Sequence, residues 1–137
     1  MPFEELFHTA DWSLRVWAAD MTNLFVETAR GMNALTGFKL AEKPRVRRTF
    51  TASAPDAESL LVSFLSELVY FAEQDLLSFD HFTLNLDLED GQPCYLNAML
   101  RGAPILSLDK VIKAVTYHNL HIQQTERGYE IEIVFDV

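Results

Sequence analysis

Hydrophobic residues along the chain recur with two periods, and the alternation between them predicts its elements. Over residues 7–18, Trp12, Leu14, Val16 and Ala18 fall on one side of a strand, and Asp11, Ser13, Arg15 and Trp17 on the other. The spacing then lengthens. Met21, Leu24, Phe25, Thr28, Met32 and Leu35 recur as on one face of a helix, which Asp20 or Thr22 can cap and Gly37 can end. A second helix is predicted over 56–74, where Leu61, Phe64, Leu65, Leu68 and Phe71 form an apolar stripe and Glu58 suits the positive end of the dipole. Between the helices a short strand is expected near Thr49, with Pro44 marking its entry or an edge.

The second half reads as two hairpins. Phe82, Leu84, Leu86 and Leu88 alternate with Thr83, Asn85, Asp87 and Glu89 before a turn at Asp90-Gly91 and a returning strand. After Gly102 comes a short amphipathic piece, "LDKVIKAVTYH", and then "NLHIQQTERGYEIEIVFDV", turning at residues 126–128. In its last strand Tyr129, Ile131, Ile133, Phe135 and Val137 alternate with Glu130, Glu132, Val134 and Asp136. These elements predict an α+β fold: a single two-layer domain over residues 1–137, a mostly antiparallel sheet with two main helices packed on one face.

Composition narrows the function. A hydrophobic content of 49% over 137 residues suits one globular domain with a real core. No apolar run approaches the roughly 20 residues of a membrane span, and Glu4 and Glu5 stand where a signal peptide would be basic, so a cytoplasmic protein without membrane association is expected. The single cysteine, Cys94, lies in a strand pattern and reads as a small buried apolar residue. A formal net charge of −9 disfavours broad attraction to phosphate backbones, so direct stable nucleic-acid binding is not expected. The run from Lys43 to Arg48 then reads as a solvated strand edge that discourages pairing.

Three distant stretches hold polar groups that amphipathic patterning does not require: "HTADW" at residues 8–12, "KAVTYH" at 113–118 and the final "FDV". If the first and last strands pair, Asp11 and Asp136 come together, and two close carboxylates must share a proton or a cation. Oxygen donors without sulfur suit Ca²⁺, Mg²⁺ or Mn²⁺, and Val137 could add its carbonyl or terminal carboxylate oxygen. The competing reading is of acids solvated at strand ends. His8 and His118 read equally as hydrogen-bonded histidines, and Lys113 as a surface lysine. There is no glycine-rich phosphate loop, Cys/His cluster or nucleophile elbow.

Together, "FHTADWSLRVWA", "LLVSFLSELVYFAE", "IKAVTYHNLHI" and "IVFDV" resemble the archease family, in order and separation, across essentially the whole chain. The resemblance implies that Asp11, Asp136 and Val137 bind a divalent cation, often assigned as calcium in that family. It implies a non-enzymatic protein cofactor of the RtcB-type RNA ligase of transfer-RNA splicing, which joins 2′,3′-cyclic phosphate or 3′-phosphate ends to 5′-hydroxyl ends. Such a cofactor promotes guanylylation of the ligase's histidine and multiple turnover, and Lys113 and His118 are the expected activation residues. A stand-alone divalent-metal-dependent phosphohydrolase using Asp11, Asp136 and His118 is the alternative. Ser13 stands where many members have glycine, and the 102–108 segment is less polar than theirs.

Overall fold

The computed structural model describes residues 2–7, 12–117 and 119–137, with the backbone alone at Phe7. His8, Asp11 and His118 lie outside the described residues. In chain order the elements are β1 (Phe3–Phe7), β2 (Trp12–Ala18), α1 (Met21–Thr36), β3 (Lys39–Leu40), β4 (Val46–Ala54), α2 (Ala57–Asp75), β5 (Leu77–Asp87), β6 (Cys94–Ser107), β7 (Ala114–Thr116), β8 (Gln123–Thr125) and β9 (Gly128–Asp136). The strands pair antiparallel throughout the described residues, so the α+β expectation holds.

The helices begin where their caps dictate. Asp20 and Asp56 are both extended, and each side chain accepts a hydrogen bond from the backbone N–H three residues on, at Asn23 (2.8 Å) and Ser59 (2.7 Å). Gly37, at φ 60°, ends α1 in the left-handed conformation that a side chain would resist. Each helix buries most of the apolar stripe read from its spacing, with Met21 and Phe71 only partly buried.

The strands divide into two sheets. The first has the order β1-β2-β9-β7, with β8 on β9; in the second, β6 carries β5 on one edge and β3 and β4 on the other. The helices bridge them. α1 packs on β1, β2 and β9 of the first sheet and β5 of the second, whereas α2 packs on β4, β5 and β6 of the second and β7 of the first. Phe64 of α2 is the hub of this packing, stacked on Phe25 of α1 and Phe50 of β4, both at 6.1 Å, with its ring edge-on to Phe82 of β5 at 6.2 Å.

Several elements differ from the pattern-based expectation. The stretch 7–18 is the end of one strand and the whole of another, which pair with each other and place Ser13 opposite Leu6. Ser13 is buried, its hydroxyl donating to the Leu6 carbonyl at 3.3 Å, although alternation assigns it to the polar face. The strand near Thr49 runs nine residues, and the amphipathic piece contains the short strand β7. In β5 the register slips between Phe79 and His81, so Leu77 and Phe79 share the inner face with Phe82 and Leu84 despite opposite parity. Cys94 is buried as expected, and burial first, then the charges of Asp56, Asp87 and Glu58, pushes its thiol up, away from the reactive thiolate.

The irregularity in β5 is held from two sides. Asn33 of α1 donates its side-chain amide to the Phe79 carbonyl at 2.8 Å, and Arg45 grips Asp80 through two hydrogen bonds of 2.7 and 3.0 Å. Opposite Phe79 sits Gly102, where an added Cβ would run into the Ser78 carbonyl and the Phe79 Cα. Both obstacles are backbone. Gly102→Ala should therefore cost on the order of 1–3 kcal/mol, read as a lower denaturation midpoint; an unchanged midpoint would mean that β5 yields freely there.

The Arg45 hydrogen bonds also hold the Asp80 carboxyl below its ordinary range, against the opposing effect of burial. A depressed carboxylate contributes stability that is present above the unfolded pKa and is lost as pH falls through the folded one. Because both side chains are about half exposed, that contribution is small. Asp80→Asn should lower stability by at most about 1 kcal/mol at neutral pH, with the gap closing below about pH 4. Chemical denaturation of both proteins across that range tests it, and a gap that widens in acid would contradict the assignment.

Candidate metal centre and its neighbouring strands

β9 places the end of the chain between two neighbours. On one edge β2 pairs along it from Ala18↔Tyr129 to Trp12↔Phe135; on the other, β7 pairs through Ala114↔Asp136, Val115↔Phe135 and Thr116↔Val134. Phe135 thus has a partner on each side, and its ring is fully buried. The strand following "HTADW", the strand within "KAVTYH" and the strand ending in "FDV" are therefore adjacent in space.

Alternation within β9 decides what this end presents. Ile131, Ile133 and Phe135 point inward, leaving the Asp136 side chain exposed, while Val137 packs partly buried against the core. The Asp136 carbonyl accepts the Lys113 N–H at 2.8 Å, which fastens the backbone of the 113–116 segment to the last strand. The Lys113 side chain is exposed. Lys110, three residues earlier, lays its ammonium 3.5 Å from the centre of the Trp12 ring, and its backbone N–H and that of Asp109 both donate to the Thr36 carbonyl at the end of α1. The segment leading into β7 is thus tied to α1, β2 and β9.

Of the residues expected to form the site, the structure brings Lys113, Asp136 and Val137 together at one end of the first sheet. Asp11 and His118 lie outside the described residues. Among the described residues no three His, Cys, Asp or Glu side chains gather as a metal cluster. The exposed Asp136 carboxylate, a hard oxygen donor, fits a divalent cation of the calcium or magnesium type.

Two contacts here were not legible in the sequence. The Lys110–Trp12 contact joins two residues that no motif couples. The other concerns Glu58, expected from its position only as a helix-dipole acid. Its carboxylate accepts the Ile122 N–H at 3.1 Å and lies 3.5 Å from Nδ1 of His121, anchoring the loop between β7 and β8 to the first turn of α2.

The model of the Archease protein family matches residues 3–137. The chain belongs to the archease family. Among its relatives, the protein archease of Methanosarcina barkeri is 33% identical over 98% of this chain and 95% of its own length. That of Methanopyrus kandleri is 30% identical, each chain being covered completely. The solution structure of protein 1598 of Methanobacterium thermoautotrophicum superposes with a TM-score of 0.75 at 22% identity, covering 99% of both chains. A crystal structure from Thermotoga maritima, described as an archease and possible chaperone, gives a TM-score of 0.68 at 17% identity, covering 98% of this chain and 96% of that one. The two-helix, antiparallel architecture is thus the architecture of this archease-family chain's structural neighbours.

The Glu58 anchor yields a local prediction. Removing a charged acceptor from a backbone N–H should speed amide exchange at Ile122 by about tenfold or more in Glu58→Ala, with α2 otherwise protected. Unchanged exchange at Ile122 would mean that the loop is held by other contacts.

Proposed function

We propose that this archease-family chain is a metal-binding protein cofactor that activates an RtcB-type RNA-splicing ligase, promoting guanylylation of the ligase's histidine and its multiple turnover. The observation that supports this reading is the double pairing of Phe135 with Trp12 and Val115, which brings the start of β2, the 113–116 segment and the end of β9 together at one end of one sheet. Asp11, Asp136 and an oxygen of Val137 would hold the cation, calcium as the resemblance implies or Mg²⁺ or Mn²⁺. When bound, a divalent ion supplies charge stabilisation to phosphate oxygens.

The chain's own residues do the positioning. The Lys113 amide is fastened to the Asp136 carbonyl, so the backbone that carries the lysine is held at the last strand, and His118 follows three residues after Val115. A cation, a lysine and a histidine on one surface have the means to stabilise charge developing on a transferring phosphoryl group. The sequence offers no nucleotide cradle of its own, which favours help given to a partner's reaction over a reaction on this chain. Lys113 and His118 would face the ligase's nucleotide site, and the metal-bearing end would enter it.

A ligation assay at limiting ligase tests the reading. Adding this protein should convert a stoichiometric reaction into many turnovers, and Asp136→Ala and Lys113→Ala should each depress ligase guanylylation by about tenfold or more while leaving the fold intact. Calorimetry should in parallel show divalent-cation binding lost in Asp136→Ala and retained in Lys113→Ala. If both variants activate as well as the wild type, or if the protein hydrolyses phosphoesters without any ligase, the reading is wrong.

A further inference from the structure

The outward face of the second sheet carries a charge pattern that the whole-chain balance conceals. Along β6, Cys94, Leu96, Ala98, Leu100 and Gly102 are buried, so Tyr95, Asn97, Met99 and Arg101 face out, and all four are exposed. Strand register sets three exposed residues side by side in each row. Arg47, Arg101 and His81 form the first; Thr49, Met99 and Thr83 the second; Thr51, Asn97 and Asn85 the third; Ser53, Tyr95 and Asp87 the fourth. α2 contacts these strands from the buried side, and among the described residues no element covers the outward one.

Two features distinguish this face. Like charges directly opposite each other destabilise a sheet, yet Arg47 and Arg101 are cross-strand partners, with His81 beside them. Among the described residues neither guanidinium is paired with a carboxylate. Asp80, the acid next to His81, is already held by Arg45 through two hydrogen bonds. In addition, the first three rows contain no acid at all in a chain with 20 Asp and Glu. Residues 39–48, which lead into the same corner, hold Lys39, Lys43, Arg45, Arg47 and Arg48 against Glu42 alone. Charge is segregated, with the basic corner on the second sheet and Asp136 on the first.

We propose that the outward face of β4, β6 and β5 binds a single-stranded nucleic acid through its phosphodiester backbone, with the Arg47–Arg101–His81 row as the phosphate contact. Guanidinium forks match phosphate oxygens two at a time, and a phosphate between Arg47 and Arg101 turns their mutual repulsion into shared attraction. Below that row the face forms a shallow depression of about 440 Å³, its surface mostly apolar, with Thr49, Thr51, Thr83, Asn85, Asn97 and Met99 among the residues that line it. Hydroxyls and amides there can hydrogen-bond sugars and bases, and the half-exposed Tyr95 ring offers a stacking surface. An acidic peptide fits less well, because the backbone groups of β6 are spent on both neighbours and offer no strand pairing across the face. The low net attraction expected of the whole chain is an average over its surface, and this face departs from it. The inference is independent of the ligase reading, and its failure leaves that reading intact.

Fluorescence anisotropy with short labelled oligouridylate and oligodeoxyuridylate, titrated with the intact protein over a range of salt, tests it. Binding should weaken linearly with the logarithm of salt, and removing one arginine of the row should reduce the slope by about 0.7. Arg101→Gln should weaken binding by about fivefold or more. The same substitution should leave the melting temperature unchanged or raise it, since it removes a like-charge pair, so the loss of affinity cannot be laid to unfolding. Arg30→Gln on α1, where Arg30 pairs with Glu27, should bind as the wild type does. Preference for the oligouridylate would add a reading of the 2′-hydroxyl to the phosphate contact. Absence of salt-sensitive binding, equal affinity in Arg101→Gln, or displacement by polyglutamate as effective as by unlabelled oligonucleotide would each overturn the proposal.

Discussion

β9 is paired on both edges, and this constraint organises one end of the molecule. A strand with two neighbours has its backbone groups committed in both directions, and its side chains are sorted to the two faces by pleat alone. Ile131, Ile133 and Phe135 therefore go to the core and Asp136 to the solvent, with no freedom to exchange, because a one-residue slip would expose the apolar set. Burial of Phe135 thus fixes the place of the carboxylate that follows it. The Lys113 N–H bonded to the Asp136 carbonyl and the Lys110 ammonium over Trp12 extend the same framework to the 110–116 segment.

The helices could be read from the chain because their signals are local. Asp20 and Asp56 cap within three residues, and the apolar stripes report the buried faces directly. Strand alternation was equally local, and the Asp90-Gly91 turn and the last hairpin followed from it. What pattern could not supply was pairing at long range. The division into two sheets depends on which strands find each other across the helices, and the slip at Asp80 changes parity in a way that periodicity reads as a break. In residues 7–18 alternation does not separate β1 from β2, and the burial of Ser13 follows from its place between Leu6 of β1 and Val134 of β9.

The candidate site was legible to the extent that it is a property of strand ends. Opposed acids near the two ends of the chain suggested neighbouring strands, and β2 and β9 are neighbours. Lys113 was legible as part of a motif, but its backbone role was not, because a main-chain hydrogen bond leaves no trace in residue type. The Glu58 contact to Ile122 was hidden for the same reason. Charge shows the opposite limitation: a net value of −9 is an average, whereas strand register determines that Arg47 and Arg101 stand side by side on one face.

A cation held where the three polar stretches meet would sit at one end of β9. Titrating the protein with Mn²⁺ while recording backbone amide resonances would locate it, since the paramagnetic ion broadens the signals of residues near it. Selective broadening at Trp12, Lys113, Ala114 and Asp136, with Tyr95 and Asn97 on the second sheet left sharp, is the predicted result. Broadening centred on another part of the chain, or spread evenly over all its acidic residues, would contradict the account.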